Sequence, residues 1–150
     1  MAVLLSEPGR YRRLVDGTWT PQEVVAEMLR FETPTLYVAW VTSQPTELCG
    51  VEVPGSTPVL VYLAAANRDP EAYERPDEFR PGRDGPSPLS FAFGAHYCLG
   101  AALARSEAEV MLNAVAERWP GLALAGAPED LRWHLRGPFR GVDELLVRTR

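Results

Sequence analysis

The stretch Phe91-Ala92-Phe93-Gly94-Ala95-His96-Tyr97-Cys98-Leu99-Gly100 sets one cysteine between two glycines and beside a histidine, at the mouth of the longest helix-like segment. Residues 99–119 contain no proline and only one glycine, and Ala102, Leu103, Val110, Met111, Ala114, Val115 and Trp119 recur at helical spacing. Cys98 is therefore expected to open a helix. Its sulfur would then face unpaired N–H groups and the positive end of the helix dipole. A thiol ordinarily titrates near pH ~8.5, so a standing thiolate needs such donors or a metal. Gly94 and Gly100 remove side chains where a flat, bulky group would approach the backbone, and Phe91 and Phe93 bring water-excluding surface. No second Cys or His stands at tetrahedral spacing, which argues against structural zinc. A single axial thiolate is what haem iron accepts. The competing reading is a buried free cysteine acting as a small core residue at a turn.

These ten residues resemble the haem-binding loop of the cytochrome P450 family, F-x-x-G-x-R/H-x-C-x-G, through Phe91, Gly94, His96, Cys98 and Gly100. Residues 101–105 look like the helix that follows the family's cysteine. The resemblance implies haem b (iron protoporphyrin IX) as cofactor. It implies Cys98 as axial iron ligand and Phe91, Gly94, His96 and Gly100 as cofactor-binding positions. The implied fold is α+β and mostly α-helical: the C-terminal, haem-proximal part of the family fold, with a small antiparallel sheet, forming a single domain over residues 1–150.

Composition sets the wider frame. A chain of 150 residues, 46% hydrophobic and 23% charged, matches an ordinary globular domain. The net charge of −5 and absence of a dense Lys/Arg run argue against a nucleic-acid partner. The apolar run near Met1 is too short, and lacks a preceding basic residue, for a signal peptide or membrane span, so the expected location is cytoplasmic. Cys49 and Cys98 could form one disulfide, but a reducing setting is simpler if Cys98 is a ligand.

Residues 2–5 read as the tail of an apolar helix. Ser6 and Pro8 are expected to start a short helix carrying Tyr11, Leu14 and Val15, closed by Asp16-Gly17. Thr20-Pro21-Gln22-Glu23 is a capping box with proline at the first helical position, opening a helix to about Phe31. Within it Glu27 and Arg30 share a face. Such a spacing alone usually marks a solvated surface pair. Glu27-Met28-Leu29-Arg30 nevertheless resembles the family's E-x-x-R pair, and Pro76-Asp77-Glu78-Phe79-Arg80-Pro81-Gly82-Arg83 its partner loop, which implies a buried network of Glu27, Arg30 and Arg83.

Strands are expected over residues 36–41, 51–53 and 58–63, forming one small antiparallel sheet. Residues 64–70 resemble the family's A-x-N-R-D-P helical turn, and the Pro- and Gly-rich residues 70–90 its meander. Trp119-Pro120-Gly121 should end the cysteine helix. Residues 132–135 and 145–148 are expected as a final hairpin, with His134 a surface strand residue.

The resemblance covers nearly the whole chain but only the last third or so of a family member. The acid–threonine helix that activates oxygen should precede Met1. Trp40 stands where bacterial members usually have an arginine for a haem propionate, which leaves propionate anchoring mainly to His96. The implied function is a haem-thiolate monooxygenase unit, with a ferredoxin or flavoprotein reductase as electron donor and a small organic substrate. A separate chain could supply the N-terminal part. The alternative is a truncated, catalytically inactive haem-binding protein. Apolar surface left open would make the chain aggregation-prone or oligomeric.

Overall fold

The computed structural model describes residues 1–149. Three helices lead: α1 (Ala2–Leu5), α2 (Arg10–Val15) and α3 (Pro21–Phe31). The Thr20 hydroxyl accepts from the Glu23 N–H, and the Glu23 carboxylate accepts from the Thr20 N–H at 2.8 Å, so the capping box forms as read. Ser6 does not start α2. It caps the end of α1, its hydroxyl donating to the Ala2 carbonyl at 2.8 Å, and Gly9 at φ +86° starts α2.

The expected single sheet is instead a set of two-stranded ribbons. β1 (Val38–Val41) pairs antiparallel with β4 (Pro58–Val61), and β2 (Thr46–Leu48) with β3 (Val51–Val53). The β2 strand escaped the sequence reading because its three residues are all exposed, leaving no burial alternation. Helix α4 (Leu63–Ala66) follows, then a long irregular stretch and α5 (Ala101–Arg118).

The ending also differs. β6 (Trp133–Arg136) pairs with β7 (Phe139–Val142) through Gly137-Pro138, while β8 (Val147–Arg148) pairs with β5 (Ala123–Leu124). Gly137 at φ +62° makes a two-residue turn, and so tight a turn pairs the residues next to it. His134 is half-buried, with Nδ1 lacking a hydrogen-bond partner and Nε2 only 3.0 Å from where a Cβ on Gly141 would stand.

Val3 and Leu4 of α1, Tyr11 and Leu14 of α2, Val24 and Val25 of α3, Leu112 of α5 and Phe79 of the irregular stretch form the core. The Tyr11 hydroxyl lies 3.1 and 2.9 Å from the carbonyls of Val115, in the last turn of α5, and of Trp119, the residue that ends it, tying α2 to that end of the helix. Only Ala101 and Leu112 of α5 are buried, while Leu103 and Val110 are 64% and 67% exposed. A long helix rich in apolar residues and buried along so little of its surface leaves a face uncovered.

Candidate functional site

Two assemblies carry the residues singled out by sequence. The first is built on α3. Arg30 donates from Nε and Nη2 to the two Glu27 oxygens, both at 2.8 Å. Arg83 donates to the same carboxylate at 3.0 and 3.2 Å, and the Arg80 backbone N–H adds a bond at 2.8 Å. Arg30 also donates to the carbonyls of Asn67, Pro76 and Glu78. Every Arg30 donor thus has an acceptor, the condition under which a buried guanidinium is tolerated. Burial pushes the Glu27 carboxyl up, but the bonds from Arg30, Arg80 and Arg83 outweigh it and hold the carboxyl below its ordinary range.

This network fixes the irregular stretch 67–83 onto α3. Asn67, within the 64–70 turn, extends it toward the cysteine loop. Its side chain donates to Thr33 and Ser90 and accepts from the Leu89 N–H at 2.8 Å. Ser90 in turn donates to the Leu29 carbonyl of α3 at 2.6 Å. No local pattern marks Asn67 as a hub, because its partners lie 22 to 37 residues away.

The second assembly is the loop itself. The Cys98 N–H donates to the Phe91 carbonyl at 2.9 Å and Tyr97 N–H to the Gly94 carbonyl at 3.1 Å, closing the ten-residue stretch on itself. Arg105 of α5 reaches back to both ends, over the Phe91 ring at 5.0 Å and to the Tyr97 hydroxyl at 3.2 Å. Gly94 sits at φ +63°, a conformation that needs glycine. Ala92 sits at φ 60°, ψ −158°, a region open almost only to glycine.

Cys98 does not open the helix. α5 begins at Ala101 with Gly100 as its cap, and among the described residues no N–H donates to the sulfur. Nor is it a buried core cysteine: Cys98 and Cys49 are both exposed and free. Residues 93–100 are exposed, including Phe93, Tyr97 and Leu99, the last at 103%.

The residues suit a flat apolar cofactor. A Cβ on Gly100 would meet no protein atom nearer than the Cys98 sulfur at 3.9 Å, and one on Gly94 none within 4 Å. Protein packing therefore does not demand the missing side chain at Gly100. A single exposed sulfur in a loop with exposed Phe93, Tyr97 and Leu99 fits the needs of a group that takes one axial thiolate. Among the described residues no group of three or more His, Cys, Asp or Glu could hold a bare metal ion.

The cytochrome P450 family model matches residues 21–119. The chain is 36% identical over 146 residues to cytochrome P450 107B1 of Saccharopolyspora erythraea, covering 97% of this chain and 36% of that relative. It is 38% identical over 151 residues to the cytochrome P450 monooxygenase PikC of Streptomyces venezuelae, covering 100% of this chain and 36% of the relative. Among solved structures, Streptomyces peucetius CYP105P2 in complex with a biphenyl compound superposes with a TM-score of 0.91 at 34% identity, over 97% of this chain and 37% of that one. The chain thus spans little more than a third of the length of these relatives.

Proposed function

The chain belongs to the cytochrome P450 family, whose cofactor is haem b, and from that premise we propose that its 150 residues form the haem-proximal unit of a haem-thiolate monooxygenase. Cys98 is the axial ligand, Phe91, Gly94, His96 and Gly100 bind the cofactor, and Glu27, Arg30 and Arg83 hold the segment behind it. The observation that carries this reading is the exposed Cys98 in an uncovered apolar loop that is closed by the Cys98–Phe91 and Tyr97–Gly94 backbone bonds.

Bound haem supplies an iron centre at which oxygen chemistry becomes accessible, with a thiolate ligand favouring O–O cleavage. The chain's own residues do the positioning. The Cys98 N–H bond to Phe91 fixes the backbone that carries the exposed thiol, and Arg105 pins the loop to α5. Exposed Phe93 and Leu99 exclude water once covered. His96 offers a ring N–H to a carboxylate at the cofactor edge.

Turnover, on this proposal, requires a partner portion covering α5, supplied by a separate chain or by further polypeptide. What supports it is an apolar cleft lined by Met1, Met28, Phe91, Met111, Trp133 and Leu145, open to solvent between α3, α5 and the β6–β7 ribbon. A ferredoxin or flavoprotein reductase would donate electrons to a unit acting on a small organic substrate. The location is cytoplasmic; no helix among the described residues is long and apolar enough to cross a membrane. The alternative is a haem-binding chain that is catalytically inactive.

The test is reconstitution of the purified chain with haemin, reduction, carbon monoxide and a difference spectrum, beside Cys98→Ser. A red-shifted Soret band of a thiolate-ligated ferrous CO complex, lost in the variant, is expected. No specific uptake, or a band indifferent to Cys98, overturns the ligand assignment. Substrate oxidation by the loaded chain alone would sink the inactive alternative.

A further inference from the structure

We infer that Trp40 is a positioning residue for His96, and that it holds the imidazole by its indole ring so that both imidazole nitrogens stay free for an anionic group of the bound cofactor; this rests on the haem-proximal reading above. Trp40 lies on β1, opposite Val59 of β4. Its ring is 5.4 Å from the His96 ring at 38°, and 5.3 Å from the Phe93 ring at 61°. Both separations lie in the range where aromatic pairs attract, and the Phe93 pair is edge-to-face. The indole thus contacts two residues of the cysteine loop, three apart, from a ribbon distant in sequence.

His96 makes no side-chain hydrogen bond among the described residues. An exposed imidazole with no bonded partner is ordinarily free to change rotamer, and a group that must meet a ligand then loses affinity to the cost of ordering it. The Trp40 ring reduces that cost without occupying a donor. Where bacterial members of the family usually have an arginine, the tertiary structure instead supplies an aromatic contact that steadies the histidine already present. One polar contact is lost and the other is pre-ordered.

Two measurements separate this inference from the cofactor reading. The first needs no haemin: hydrogen exchange at the amides of Tyr97 and Cys98, which are bonded to Gly94 and Phe91, in the chain and in Trp40→Ala and Trp40→Phe. Trp40→Ala is expected to speed exchange about tenfold and Trp40→Phe by less than about threefold. The second is haemin titration, where Trp40→Ala weakens binding about tenfold and leaves the ferrous CO band in place, because Cys98 is untouched. Trp40→Ala should add little on a His96→Ala background, as coupled residues do. Unchanged exchange in Trp40→Ala overturns the inference, as does full additivity with His96→Ala. A chain that takes up no haemin fails the cofactor reading, and the exchange result still decides the role of Trp40. Should Trp40→Ala not fold, Trp40→Leu, which keeps bulk but removes the ring, gives the same comparison against His96→Ala.

Discussion

Both carboxylate oxygens of Glu27 lie 2.8 Å from nitrogens of Arg30, one helical turn further along α3, and the two side chains are 2% and 1% exposed. Sequence spacing alone would place this pair on a solvated surface. Its burial, with Arg83 on the same carboxylate, makes it a structural joint between a regular helix and an irregular segment.

Removing one member strands the others. Glu27→Ala should lower the free energy of unfolding by about 3–5 kcal/mol, the usual cost of an uncompensated buried charge. That is a large share of a typical domain's stability. Replacing Glu27 and Arg30 together by methionine should cost less than the sum of the single changes. Urea unfolding of the singles and the double checks this, and strict additivity would contradict the joint.

The same carboxylate predicts acid sensitivity. Its folded pKa lies below the unfolded value of about 4.3, so its stabilisation is complete above that pH and is lost as pH falls through the folded value. Unfolding midpoints measured from about pH 6 down to about pH 3 should fall for the parent chain. Glu27→Gln, with no charge to protonate, should be less stable at neutral pH and flatter over that window. An equal slope in both would assign the acid response elsewhere.

Ala92 holds a conformation, φ 60° and ψ −158°, that costs a non-glycine residue about 1–3 kcal/mol. Ala92→Gly relieves it at an unfolded-state entropy cost of about 0.5–1 kcal/mol. The net expectation is a higher thermal midpoint, by about 2–4 °C for each kcal/mol gained in a chain of this size. Calorimetry on the variant checks it; a lower midpoint would mean that the loop carries no such strain.

Val110 and Met111 of α5 are 67% and 48% exposed in the isolated chain. Exposed apolar surface of this kind drives association. The chain should self-associate at micromolar concentration and bind an apolar-surface dye. Val110→Lys with Met111→Lys should reduce both without lowering the unfolding free energy. Light scattering and dye titration read this, and a monodisperse parent chain without dye binding would contradict it.

Much was legible because it is local. The capping box at Thr20, the bounds of α3 and α5 within a residue or two, and the family motif at residues 91–100 all depend on near neighbours and on backbone preferences. The residues of β1, β3, β4, β6 and β8 were legible as strand, but β2 and β7 were not, and neither were several of the partners. β8 returns to β5 and not to β6, and Ser6 ends a helix where it was expected to start one. Pairing is set by turn geometry and by what lies across the sheet, neither of which a short apolar run encodes by itself.

The sequence by itself determined the chemistry available: one cysteine in a glycine-flanked aromatic loop, a histidine beside it, and a carboxylate with two arginines at motif spacing. Only the tertiary structure decided that the carboxylate is buried and doubly paired, that Cys98 faces outward three residues before its helix, and that Asn67 and Trp40 converge on the segments flanking it. The physical reason is that residue type and spacing fix what a group can donate, accept or bury, whereas desolvation and partner choice depend on atoms brought from tens of residues away.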